Sequence, residues 1–151
     1  MCFHTGNSPS IKGLLVGCAD GYIRKFDETQ KNDVAVTDIA IESKAVIGPG
    51  AISKNADERG RMNTMSITTG SNTDGVDYSI FVKDTAEEVV DSIAAVSTPL
   101  HTGTITGPNR VQKLRPRSRG AWMGIVLSNS VVDETWSFEK VVADIVPAGA
   151  I

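Results

Sequence analysis

Apolar and polar residues alternate in short bursts along most of this chain, and each burst ends at a cluster of Gly, Pro, Asn or Asp. That is the period-two signature of half-buried strands separated by turns. The clearest case comes early. Gly13–Asp27 reads GLLVGCADGYIRKFD, two apolar arms around Ala19-Asp20-Gly21. Asp-Gly between such arms predicts a hairpin, because Gly accepts a positive φ without steric cost. In the second arm Tyr22, Arg24 and Phe26 share one face, and Ile23 and Lys25 the other. Glu28–Asp33 is polar and predicts a loop.

Val34–Ile47 reads as one strand rich in Val, Ile and Ala. Its alternation slips by one residue near Asp38, as a β-bulge would cause. Gly48-Pro49-Gly50 predicts the end of that strand, and charged Ser53–Arg61 predicts a loop. Met62–Thr69 resumes an extended pattern through Met65 and Ile67. Gly70–Gly75 (GSNTDG) is turn chemistry. Val76–Lys83 follows as a strand with Tyr78, Ile80 and Val82 on one face.

Thr85–Ala95 changes period and predicts a helix. Thr85 and Glu88 have the spacing of a capping box, in which each side chain satisfies an orphan backbone donor of the first turn. Asp84, Glu87 and Glu88 suit the positive end of the helix dipole. Val89, Val90, Ile93 and Ala94 form its apolar stripe, and Pro99 marks its stop.

His101–Thr106 is short and Thr-rich, Gly107-Pro108-Asn109 predicts a turn, and Arg110–Ser128 is extended. The longest alternating run is Thr135–Val146, with Trp136 and Phe138 on one face and Val141, Ala143 and Ile145 on the other. Pro147-Ala148-Gly149 predicts its end. Roughly eight or nine strands with frequent turns and one short helix predict a mainly β fold, an antiparallel β-sandwich or barrel. A single β-rich domain over 1–151 is expected, with a possible subdivision into a hairpin unit (1–33) and a sandwich (34–151).

Composition sharpens this picture. The chain has 151 residues, enough for a substantial core. Aromatics are only 5%, so that core must rest on aliphatic side chains. Cys2 and Cys18 are too few for a disulfide scaffold and predict free thiols in a reducing compartment. Met1–Ser10 carries no apolar run after a basic region, and no stretch approaches the ~20 apolar residues of a membrane span. A soluble chain made in a cytoplasm, without a membrane span, is the expectation.

Reaction chemistry finds little support. Cys2 and His4 make one close ligand pair with Cys18 further on, whereas zinc sites show two such pairs. His4 and His101 are the two available imidazoles, and neither accompanies a nucleophile motif. Asp57, Glu58, Asp74, Asp77, Asp133 and Glu134 mostly fall in polar turns, where solvated carboxylates are the rule. No phosphate-binding loop is present. A hydrolase would need a converging carboxylate pair that the sequence does not supply. The chain therefore reads as no enzyme, with no catalytic residue, metal, cofactor or small-molecule substrate assigned.

One charged feature stands out. Arg110, Lys113, Arg115, Arg117 and Arg119 fall within ten residues, and on an extended strand the last four point to one side. Like charges on one strand face repel unless something answers them. Water or the acidic helix residues Glu87, Glu88 and Asp91 could do so. An acidic surface on another subunit is the sharper answer, since guanidinium groups pair bidentately with carboxylates. Nucleic acid is disfavoured by the net charge of −3 and by the lack of interleaved aromatics. Trp122 and Trp136 suit core packing or, alternatively, interface anchors. Arg115, Arg117, Arg119, Trp122 and Trp136 are thus the candidate protein-interface residues.

Two stretches carry a resemblance. Leu14–Asp27, an apolar strand, an Asp-Gly turn and a strand ending in Asp, resembles the inner hairpin of a β-propeller blade. A single blade hairpin cannot bury both its faces, so a whole propeller is excluded. Lys113–Gly149 begins with Arg115-Pro116-Arg117 and Arg119-Gly120, continues as an alternating strand from Trp122 to Leu127, and closes through Trp136-Ser137-Phe138-Glu139-Lys140-Val141. It resembles the C-terminal β-segment of virion proteins from the neck and tail of tailed bacteriophages. The resemblance implies a structural component of a phage particle, at the tail, neck or capsid surface, whose partners are other virion subunits and copies of itself. A carbohydrate-binding or host-surface-binding β-sandwich module is the alternative, and exposed aromatic faces would favour it.

Overall fold

The computed structural model describes residues 2–4, 13–17, 23–25, 32–34, 38–53, 58–108 and 111–150, with side chains described over 39–53, 58–108 and 111–148. Its strands are β1 (Cys2–His4), β2 (Gly13–Gly17), β3 (Ile23–Lys25), β4 (Asn32–Val34), β5 (Asp38–Ala40), β6 (Ser43–Ala51), β7 (Glu58–Thr69), β8 (Gly75–Lys83), β9 (His101–Thr106), β10 (Val111–Leu114), β11 (Ser118–Gly120), β12 (Trp122–Asn129) and β13 (Phe138–Ala150). One helix, α1 (Ala86–Ala94), lies between β8 and β9. The fold is mainly β, with two antiparallel sheets packed as a sandwich and one short helix.

The N-terminal strands form small ladders of their own. β2 pairs antiparallel with both β1 and β3, so the two arms read from Gly13–Asp27 do pair. The Asp20-Gly21 turn of that hairpin lies outside the described residues. The single strand expected over Val34–Ile47 is instead three pieces. Val34 pairs with Asp38, so the phase slip at Asp38 marks a reversal of the chain between β4 and β5 and no bulge. After Ile41-Glu42 the chain starts β6.

The first large sheet has the order β6-β12-β8-β9, and in the second β7 is flanked by β10 and β11 on one side and by β13 on the other. Three sequence boundaries move here. β6 runs through Gly48-Pro49-Gly50, with a cis Gly48-Pro49 peptide, because it is an edge strand where a missing N–H costs no ladder bond. Gly48 has φ +112, and a Cβ there would lie 2.8 Å from the Met123 carbonyl oxygen. β13 likewise continues past Pro147 to Ala150 along the sheet edge. The segment expected as a loop before Met62 is the start of β7, since Arg61 faces solvent while Gly60 and Met62 face inward.

The main core lies between the sheets. Met62, Met65 and Ile67 of β7 meet Val76 and Ile80 of β8, Ile105 of β9, Leu114 of β10, and Ile125 and Leu127 of β12. Tyr78, Val82, Val141 and Ala143 pack against this cluster, in agreement with the faces read from the sequence. Ile145 escapes it and is 36% exposed, because the pairing register shifts between Asp144 and Ile145. Full burial of each such aliphatic side chain is worth about 1.5–3 kcal/mol.

α1 covers the opposite face of the first sheet. Thr85 caps it, with the Glu88 amide donating to Thr85 Oγ1 at 3.2 Å and the Thr85 amide donating to Glu88 Oε2 at 3.3 Å. Val89 is fully buried against Phe81 and Val126, with Ile93 and Trp122 alongside. Gly124 permits this approach, since a Cβ there would lie 2.7 Å from Val89 Cγ1 and 2.8 Å from Ile93 Cδ1. Val90 leaves the predicted stripe and is 49% exposed, because a single sheet beneath a nine-residue helix contacts only one narrow face. Among the described residues no helix is long and apolar enough to cross a membrane.

Candidate protein-interaction surface

The outer face of the second sheet is where the basic strip comes to lie. β10 and β11 both pair with β7, Leu114 opposite Met65 and Ser118 opposite Met62. Residues 115–117 therefore span one position more than β7 offers between those pairs, and the edge bulges outward. Arg117 absorbs the bulge with φ +47, a left-handed conformation that costs a non-Gly residue about 1–2 kcal/mol. The His101 imidazole ties the bulge down from β9, its Nε2–H donating to the Pro116 carbonyl oxygen at 2.7 Å. Burial alternates without interruption. Leu114, Pro116, Ser118 and Gly120 are buried, and Lys113, Arg115, Arg117 and Arg119 are exposed. The four cations thus share the solvent side, although they belong to two strands and a bulge and not to one strand.

The structure divides them into two settings. Arg119 stands opposite Arg61 across the β11–β7 ladder, and its Nη2–H donates to the Ala148 carbonyl oxygen of β13 at 2.9 Å. It also lines an open groove of about 600 Å³ with Arg59, Lys83, Asp84, Glu88 and Asp91. Arg59 and Asp84 form a 2.8 Å ion pair there, half exposed and worth at most about 1 kcal/mol. The acidic helix considered as a local answer to the strip thus reaches one arginine, through Glu88 and Asp91.

Arg115 and Arg117 have a different neighbour. They line a second open groove of about 520 Å³ with Arg61, Asn63 and Thr64 of β7, and no carboxylate lines it among the described residues. Asp144, paired with Thr64 in the β7–β13 ladder, is the acid nearest to it in register. Among the described residues, no ion pair or hydrogen bond engages the side chain of Arg61, Arg115 or Arg117. Arg61 was missed from the sequence because its strand was read as a loop. The inward Gly60 and Met62 beside an outward Arg61 were the available signal. The same sheet face turns apolar toward β13, where Val142 is 53% and Val146 36% exposed. In register, Lys113, Ser66 and Val142 form one row across the sheet, and Arg119, Arg61 and Val146 another.

The tryptophans lie elsewhere. Trp122 is half-buried beside the cluster beneath α1. Trp136 packs on the main core, its Nε1–H donates to Ser43 Oγ at 2.6 Å, and its ring stacks on Phe138 with centroids 6.3 Å apart and planes at 22°. Neither tryptophan lines the arginine groove.

Three of the carboxylates considered for chemistry have structural partners. Asp77 accepts from Thr104 Oγ1, Glu134 accepts from Asn129 Nδ2 at 2.7 Å, and Asp74 accepts from the Thr135 amide at 3.0 Å. Arg110, Asp57, Cys18 and the side chains of Cys2 and His4 lie outside the described residues. Among those described, no three His, Cys, Asp or Glu side chains gather as metal ligands. No protein-family model matches this chain, and neither a curated protein nor a solved structure matches it.

Proposed function

We propose that this chain is a non-catalytic structural subunit of a tailed-bacteriophage particle, acting through protein–protein assembly contacts. The particle assignment rests on the resemblance of Lys113–Gly149 to neck and tail virion proteins. The observation that carries the contact reading is the outer face of the β7 sheet. Arg61, Arg115 and Arg117 sit there exposed, with no ion pair among the described residues, beside exposed Val142 and Val146. Close like charges on an ordered sheet raise the free energy of the isolated chain. An acidic partner would remove that cost, and guanidinium groups hold carboxylates in fixed geometry. Exposed aliphatics among charges match the composition of an interface with a small apolar centre.

The test replaces Arg115, Arg117 and Arg119 by Glu in the full chain and measures its occupancy in purified particles. Wild-type chain should be present at fixed copy number and the variant strongly depleted. Unchanged occupancy would remove the strip from assembly. A second reading, a host-surface or carbohydrate-binding module, has one observation in its favour: Phe138, stacked on Trp136, is 40% exposed. It requires saccharide binding that Phe138→Ala abolishes.

A further inference from the structure

We propose that copies of this chain associate head to tail, the outer face of α1 in one copy seated on the arginine groove of the next. This rests on the assembly reading above and names the partner as a second copy.

The placement of the two surfaces carries the inference. α1 lies on the outer face of the first sheet, anchored through Val89 to Phe81 and Val126. Arg61, Arg115 and Arg117 lie on the outer face of the second sheet, across the main core. Glu87 and Asp91 on the helix and Arg61, Arg115 and Arg117 on the β7 sheet therefore lie on different outer faces, while Arg59, Lys83 and Arg119 border the helix at the groove it shares with Glu88. A contact between unlike patches on opposite sides is heterologous. It leaves a free patch at each end and continues into a ring or a filament, where a two-fold contact would stop at a dimer.

The chemistry of the two patches is complementary. Glu87, Val90 and Asp91 line one side of the helix, and no basic residue occupies its last turn. Val90 is 49% exposed between the two carboxylates. On the receiving sheet the arginines flank a β13 face with Val142 53% exposed. Each surface thus joins an exposed aliphatic to charges, and the charges are of opposite sign. Within one copy Glu87 and Val90 line neither groove that contains an arginine, and Asp91 shares a groove with Arg59 and Arg119 but not with Arg61, Arg115 or Arg117. Nucleic acid fits less well, because Asp144 lies on the receiving face and the chain carries a net charge of −3.

The experiment follows the solution mass of the full chain by light scattering across concentration and salt. The mass should rise past that of a dimer with concentration and fall as salt screens the contact. Arg61→Glu with Arg115→Glu and Arg117→Glu should weaken association about tenfold or more, and so should Glu87→Lys with Asp91→Lys. Mixing the two variants pairs each altered face with an opposite charge and should restore association. That recovery also shows that both variants are folded. A mixture that stays monomeric while both variants melt cooperatively overturns the proposal, as does either variant associating like wild type. Wild type that stays monomeric yet binds polyglutamate or a DNA duplex overturns it too, and assigns the groove to a foreign occupant. Particle occupancy separates this contact from the broader reading. Occupancy lost on arginine reversal while self-association persists sinks the head-to-tail contact and keeps the structural subunit.

Discussion

The loop end of the sandwich and the outer face of the β7 sheet are both polar, yet their side chains meet opposite fates. At the loop end Thr73 is 2% exposed and Asn129 5% exposed. The Thr73 hydroxyl donates to the Ser137 carbonyl oxygen at 2.9 Å and accepts from the Ser137 amide at 3.2 Å. Asn129 donates to the Gly75 carbonyl oxygen at 2.8 Å and to Glu134, and accepts from the Val131 amide at 2.9 Å. Backbone bonds from Gly70 to Ser137 and from Asp74 to Thr135 complete the tie between the β7–β8 turn and the segment before β13. On the β7 face, Arg61, Arg115 and Arg117 make no such bonds among the described residues. A buried polar group without a partner is costly, so the loop end had to be satisfied within the chain. An exposed charge keeps its water and is under no such demand, which leaves it available to a partner.

Substitutions can break or sharpen this contrast. The largest effect is expected for Asn129→Ala, which strands the Gly75 carbonyl, the Glu134 carboxylate and the Val131 amide. Urea unfolding should show a loss of about 3 kcal/mol. Thr73→Val keeps the shape and deletes both hydroxyl bonds, for a loss of about 1–2 kcal/mol by the same measurement. His101→Leu frees the Pro116 carbonyl and should cost about 1 kcal/mol. It should also raise hydrogen exchange at the Arg115 and Arg117 amides, which would mark His101 as the residue that positions the arginine bulge. The smallest effect belongs to the surface face. Arg61→Gln with Arg115→Gln and Arg117→Gln should change stability by less than about 0.5 kcal/mol, in the stabilising direction at low salt. A loss of several kcal/mol there would show that these arginines hold the fold together, and the contrast would collapse.

Some elements were legible in the sequence for local reasons. The helix carried its cap, its acidic first turn and its change of period, all within eleven residues. The pairing of the two arms on either side of Asp20-Gly21 and the shared face of Tyr78, Ile80 and Val82 in β8 were equally local. The failures share one cause. Pro49 and Pro147 are strand stops by local chemistry, and the edge positions of β6 and β13 annul that chemistry. The charged start of β7 looked like a loop because inward Gly60 and Met62 acquire meaning only beside Ile52 and the facing sheet. The reversal between β4 and β5 and a bulge leave the same phase slip in a sequence.

The same division holds for the candidate surface. Spacing alone placed Lys113, Arg115, Arg117 and Arg119 on one side, because the two-residue period is a property of extended backbone and survives the bulge. Which of them would meet an acid was decided by packing. β11 leads directly into β12 of the other sheet and brings Arg119 beside α1, whereas Arg115 and Arg117 are held at the bulge beside Arg61. Alternation is written residue by residue, but the neighbours of a charge are set by how strands distant in sequence pair and stack.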